Sequence, residues 1–345
     1  MFRRLTLVKI FFFICLITFL LTKALVAQNK FVFEQPKMGS PFTVTIFSHD
    51  SAKAAEVAAI AFHCADSLNH IFSDYIDSSE LNRLNATSGQ GHYVPVSSAM
   101  FDILKYSLEA AKKSDGNFDV TMGPVIKLWR KARKEKKLPD SSILKNALGK
   151  VGYKYIHMDS VVQTVWLEKP GMKLDLGGIG KGYVAQAALN MIEAKGLHSA
   201  MVNAGGSIVV GEAPPKRDAW LVGITLPEEK EKIMSGLLLL KNTSVATSGD
   251  IYQHLDINGK RYSHIIDPET GLGITTQRSV TVIAKNGAVS DWLSTACSVL
   301  SIDKAIALVK QLKDAAILIT EIKDGKLIQK NSENFNDYFA NSRTL

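Results

Sequence analysis

Apolar positions along this chain fall into three textures. The first is a single short run, Ile10 to Leu21, preceded by Arg3, Arg4 and Lys9 and followed by Lys23-Ala24-Leu25-Val26-Ala27. A basic head, a brief apolar stretch and a small-residue end read as a secretory leader over residues 1–27. The run is short for a spanning helix; the alternative is an uncleaved N-terminal anchor. Either form puts the remainder outside the cytoplasm: exported and periplasmic, tethered to the inner membrane if the segment stays. Cys15 sits inside the run, the wrong place for a lipid-anchoring cysteine.

The second texture has helical spacing. After a strand at 42–47, Val57, Ile60, Cys64, Leu68 and Ile71 recur as on one helix face, predicting a helix over 51–72. Further helices are predicted at about 98–113 and 123–136, the latter with Pro124 in its first turn and a stop before Pro139. His63 and His70 lie seven apart without a carboxylate at ligand spacing and read as surface or half-buried residues. The third texture, from about residue 150, is one of short strands. They are predicted at 161–167, 199–203, 207–211, 219–225, 236–241, 252–257 and 278–285, with helices at about 179–195, 287–300 and 302–312. Most strands succeed one another without a helix between them. The fold class is therefore α+β, a single domain of mixed, mainly antiparallel strands with packed helices over 28–330. A polar tail, 331–345, is expected to be loosely held.

Charge and cysteines change this picture little. The net charge of +8 falls by four once Arg3, Arg4, Lys9 and Lys23 of the leader are set aside. The basic run Lys127 to Lys137 lacks interleaved aromatics and reads as a solvated helix face, so no nucleic-acid partner is expected. Outside the leader only Cys64 and Cys297 remain, both on apolar helical faces, which favours free thiols over a disulfide framework. No zinc-ligand spacing occurs.

Five constellations can bear chemistry. Leu174 to Tyr183 sets Asp175, four glycines and Lys181 at a helix start, a design for holding phosphate through backbone amides and a point charge. It is neither a P-loop nor a G-x-G-x-x-G fingerprint. Ser290 to Ala296 puts Asp291 and Thr295 on one helix face, an oxygen pair suited to a hard cation such as magnesium; helix capping is the competing reading. Tyr262 to Gly271 offers His264 as a general base beside a turn, or as a plain edge-strand histidine. Asn203-Ala204-Gly205-Gly206-Ser207 and Ser248-Gly249-Asp250 allow close approach of backbone to a ligand, or are simple hairpins. Asp115 to Pro124 places polar and aromatic groups ahead of a helix N-terminus.

In this order, with Met38-Gly39-Ser40 and with Tyr75 ahead of Ser79-Glu80-Leu81-Asn82, these motifs resemble the ApbE flavin transferases over roughly residues 38–300. The resemblance implies FAD as donor substrate, Mg2+ as cofactor, AMP as leaving group and FMN attached to a threonine or serine of an acceptor flavoprotein subunit. It implies Gly178, Asp291 and Thr295 as metal ligands. It also implies Met38, Tyr75, Asn117, Phe118, Asp119, Asp175, Lys181, His264 and Ile265 as nucleotide contacts, with His264 and Asp291 catalytic. Three positions depart from the family pattern: Gly180 stands for a commoner alanine, Gly273 for a proline, and Trp292 for a small residue that would narrow the mouth beside the metal.

Overall fold

The computed structural model describes residues 28–225, 233–249, 254–257, 259–323 and 326–340. The leader, Asp250 and the first residues of the strand expected at 252–257 lie outside them. In chain order the elements are β1 (Asn29–Lys37), β2 (Ser40–Ser48), α1 (Ser51–Phe72), α2 (Glu80–Ala86), β3 (Val94–Pro95), α3 (Ser98–Lys113), α4 (Gly123–Glu135) and α5 (Ser141–Leu148). Next come β4 (Ile156–Asp159), β5 (Thr164–Leu167), α6 (Gly180–Ala194), β6 (Ala200–Ala204), β7 (Ser207–Val210), β8 (Trp220–Thr225) and β9 (Ile233–Leu240). The chain continues with β10 (Thr243–Gly249), β11 (His254–Ile257), β12 (Lys260–Ser263), β13 (Gln277–Ala284), α7 (Gly287–Val299), α8 (Ile302–Lys310), β14 (Ala316–Lys323) and β15 (Lys326–Asn331).

Eight strands form one sheet in the order β1-β2-β6-β7-β10-β13-β14-β15, with every neighbouring pair antiparallel. Alternation along each strand splits its side chains between two cores. Val44, Ile46, Val202, Val280, Val282, Ile317 and Ile319 face the helical layer of α1, α3, α6, α7 and α8. Val210, Val245, Ile283, Ala316 and Leu318 face the β8–β9 hairpin on the other side. A third cluster joins α4 and α5 to the β11–β12 ribbon through Trp129, Leu144, Leu255 and Tyr262. No helix among the described residues is long and apolar enough to cross a membrane.

The helices with clean periodicity fall where the spacing predicts, α1 and α3 to the residue. On α1 the buried stripe is Ala54, Val57, Ala58, Ala61, Phe62, Ala65, Leu68 and Phe72, and its four alanines let the helix lie close to its neighbours. His63 and His70 are exposed, and Cys64 and Cys297 are free thiols.

Three expectations need correction. Val161 and Val162, read as strand, form the exposed tip of the β4–β5 hairpin, at 89% and 62% exposure. The tail is not wholly loose: a 3-10 turn at Glu333–Tyr338 buries Phe335 completely in the second core. Finally β1, β14, β15 and β10, none of them among the predicted strands, all belong to the main sheet, β10 near its middle between β7 and β13. The β10 hydroxyls find partners there: Ser244 Oγ donates to Ala284 O at 2.6 Å and lies 3.0 Å from Ser290 Oγ, and Ser248 Oγ shares a 2.7 Å bond with Ser294 Oγ. A polar sequence can be buried in this way because its groups are satisfied.

Candidate active site

Four of the chemistry-bearing segments meet at one end of the main sheet. The β1–β2 turn at Met38-Gly39, the β6–β7 turn at Gly205-Gly206, the end of β10 and the start of α6 all lie there. Met38 adopts a left-handed φ of 51° followed by Gly39 at 73°, the paired positive values of a tight hairpin turn. Its methyl group lies over Gly180, where an added Cβ would be 3.9 Å away, so the alanine usual at this position would also fit. Gly205, at φ 61°, has no room for a side chain: a Cβ would come within 2.4 Å of Ser40 Oγ. The Lys181 ammonium lies 3.8 Å from that same point, over the β6–β7 turn.

α6 and α7 cross at two glycines. A Cβ on Gly182 would sit 2.0 Å from Gly287 O, and one on Gly287 would sit 2.3 Å from Gly182 O. This approach brings the Gly182 amide to Asp291, donating to Oδ2 at 2.7 Å. α7 is capped by Asn286, whose side chain accepts from Ala288 N, so Asp291 stands inside the helix and is not its cap. At its far end Arg278, paired with Glu321, donates to Leu300 O at 2.5 Å. One turn beyond Asp291, Thr295 Oγ1 lies 3.3 Å from Asp291 O and 3.5 Å from both Gly178 O and Ser248 Oγ. Gly178, Asp291 and Thr295 are thus brought together across more than a hundred residues of sequence.

Asp291 is 6% exposed. Burial raises its pKa, against the Gly182 amide, the Lys181 charge and a hydrogen bond from Ser207. No group of three or more His, Cys, Asp or Glu side chains that could hold a metal occurs among the described residues. A cation here would therefore depend on one carboxylate, a hydroxyl and a carbonyl, an all-oxygen set.

The glycine loop differs from the expected anion cradle. Its amides are largely engaged within the protein: Gly177 N donates to Asp175 Oδ1, Ile179 N and Gly180 N to Leu176 O, and Gly182 N to Asp291. Asn85 fixes the approach to the loop by accepting from Leu174 N at 2.7 Å and donating to Leu174 O at 3.2 Å. Asp175 is buried, and Arg130 Nη2 donates to its Oδ2 at 2.8 Å. Burial and the neighbouring Asp74 charge raise the Asp175 pKa, while Arg130 lowers it.

Asp119 accepts from Thr121 N, Thr121 Oγ1 and Tyr153 N, all within 2.9 Å, and so organises its own loop. Asn117 donates to Ser114 O. Phe118 packs beside Gly178 and 6.2 Å from the Trp292 ring. Trp292 is only 3% exposed, so it backs the site and does not narrow its mouth.

Tyr75 is 77% exposed, with the Arg130 guanidinium over its ring. His264, directly after β12, is exposed, and Ile265 is buried. Their loop is pinned to α4 by Trp129 Nε1 donating to Gly271 O at 2.7 Å. Gly273 faces Ser263 O, which a Cβ would approach to 2.4 Å.

Sequence reasoning missed Arg130 and Asn85, and read Ser207 only as part of a turn, not as a hydrogen-bond partner of Asp291. The basic run holding Arg130 does present Lys131 to solvent, but Arg130 turns inward to Asp74 and Asp175. The one local signal for this was Trp129 beside it.

A family model described as the ApbE family matches residues 38–319. A protein named FAD:protein FMN transferase from Treponema pallidum is 34% identical over 275 residues, 75% of this chain and 76% of that one. Another of that name from Klebsiella pneumoniae is 30% identical over 292 residues, 83% and 88% of the two chains. The solved ApbE protein of Thermotoga maritima superposes with a TM-score of 0.81 at 26% identity, covering 91% of this chain and all of that one. The flavin transferase ApbE of Vibrio cholerae, at 24% identity and a TM-score of 0.82, shares the fold. With most of its length matched by the family model and its architecture shared with solved members, the chain belongs to the ApbE family.

Proposed function

We propose that this chain is an exported, magnesium-dependent FAD:protein FMN transferase that attaches FMN to a threonine or serine of an acceptor flavoprotein subunit and releases AMP. The observation that supports it most is the meeting of Gly178 O, Asp291 and Thr295 beside Lys181 in a chain of this family. The donor set fits a hard divalent cation, because a buried carboxylate with no side-chain cation bonded to it gains from a positive partner. Bound there, magnesium would supply electrostatic stabilisation of a diphosphate.

The chain's own residues define the rest of the reaction. Asp291 is held in place by Gly182 N and Ser207, and Lys181 adds positive charge beside the β6–β7 turn. The acceptor hydroxyl oxygen forms a bond to the FMN phosphorus, and the bond from that phosphorus to the AMP oxygen breaks. His264, exposed at the surface, is the group assigned to take the hydroxyl proton, a role typically contributing ~10²–10⁴-fold. Charge accumulates on phosphoryl oxygens in such transfers, so positioning and cationic stabilisation provide most of the acceleration.

Incubation with FAD, magnesium and an acceptor subunit, read by intact mass, tests this. The acceptor should gain one FMN and AMP should appear, and Asp291→Ala should abolish both while remaining folded. Free FMN without a modified acceptor would instead indicate an FAD diphosphatase, and FAD binding without AMP release a non-catalytic flavin-binding protein. Full activity of Asp291→Ala would sink the metal-site assignment.

A further inference from the structure

Arg130 gathers three otherwise separate segments. One arm of its guanidinium pairs with Asp74, in the loop between α1 and α2. The other donates to Asp175 Oδ2 at 2.8 Å, at the entrance to the glycine loop. Its Cζ lies over the Tyr75 ring, 4.3 Å from the centroid. The guanidinium is about a quarter exposed, Asp175 only 7%. Burial opposes its charge, but the Asp74 and Asp175 carboxylates outweigh that and hold its pKa above the ordinary value.

The backbone beneath Tyr75 is already fixed. Asn82 Nδ2 donates to Asp74 O at 3.1 Å and to Ile76 O at 3.0 Å, and Tyr75 N donates to Ser73 Oγ. The tyrosine ring is different: at 77% exposure, little besides the guanidinium restrains it. An aromatic ring backed on one face and open on the other is a platform for a planar heteroaromatic group. A clamp that exposes a large aromatic adds little to folding, so its benefit must appear when something stacks on the open face.

We propose that Arg130 is a positioning residue for the dinucleotide: by bridging Asp74 and Asp175 it sets the Tyr75 ring at a fixed place relative to the glycine loop, so that one planar ring of the substrate stacks there while its diphosphate reaches Lys181. This rests on the FAD-transfer reading above. Lysine cannot substitute, because an ammonium is a point charge without the planar fork that meets two carboxylates and covers a ring at once.

The test is a square of Arg130→Lys and Tyr75→Leu with their double variant, together with Arg130→Ala, each assayed for turnover and for FAD binding by flavin fluorescence. Arg130→Lys should raise KM for FAD roughly tenfold to a hundredfold, with kcat changed by no more than about threefold. The same weakening should appear in direct binding. In the Tyr75→Leu background the Arg130→Lys substitution should have little further effect, since both remove one platform. If Arg130→Ala does not fold, the lysine square still decides the matter. Wild-type affinity in Arg130→Lys, or penalties that multiply in the double variant, would overturn the inference alone. A wild-type chain that neither binds nor turns over FAD would overturn the functional reading and this inference with it.

Discussion

Asp175 and Asp291 are both buried carboxylates, but the fold treats them differently. Asp175 receives a guanidinium, so the protein itself supplies its counter-charge. Asp291 receives an amide, a hydroxyl and the field of Lys181, but no bonded cation among the described residues. Burying a charge without a partner is costly, so Asp291 is the place where an external cation would be most strongly held. Asp119 is a third case, because its hydrogen bonds come from uncharged groups, Thr121 in its own loop and the backbone amide of distant Tyr153. Burial raises its pKa above the ordinary 3.8, against the bonds from Thr121 and Tyr153. A carboxyl raised in this way adds stability that is whole below 3.8 and is lost as the pH rises through the folded value. Asp119→Asn removes that titration. As the pH rises above 3.8 the variant's unfolding free energy should therefore fall less steeply than the wild type's. Parallel denaturation curves for the two proteins across this range would refute the assignment.

At the scale of elements, the site depends on how closely α6 and α7 cross. Gly182 and Gly287 permit the approach that places the Gly182 amide on Asp291. Gly182→Ala would press a methyl group to 2.0 Å from Gly287 O and 2.7 Å from Asp291 Cβ. The helices must separate, at a cost of about 1–3 kcal/mol, and the magnesium-dependent step proposed above should suffer more than stability does. Urea denaturation alongside a magnesium titration of activity would check both, and a variant with unchanged magnesium dependence would show that the crossing is not what sets the site. The glycines of this loop were conspicuous in the sequence as an anion cradle. Their use in helix packing was not, because a Gly182–Gly287 contact has no local signature. For the same reason β10 went unread. Its Ser and Thr side chains look like loop chemistry until Ser290 and Ser294 of α7 are set against them.

In the whole molecule, the sheet separates the site's helical layer from a second core closed by β8, β9 and the C-terminal turn. Phe335→Ala should cost ~3–5 kcal/mol, seen as a lower denaturant midpoint, while the activity of the folded fraction stays unchanged. Loss of activity in fully folded protein would mean that the two faces are coupled through the sheet. The sequence by itself determined the α+β class, the helices α1, α3, α4, α6, α7 and α8, and the residue types of the site, because periodicity and short motifs record which side of an element is buried. Tertiary structure alone decided that Arg130 belongs to Asp74 and Asp175, that Trp292 lies in the core, that the glycine-loop amides serve the protein's own oxygens, and that Phe335 is buried. Apart from the loop's own turn bonds at Gly177, Ile179 and Gly180, these are pairings between segments far apart in the chain. Such pairings are fixed by crossing distances and sheet order, which the pattern of any one segment does not contain.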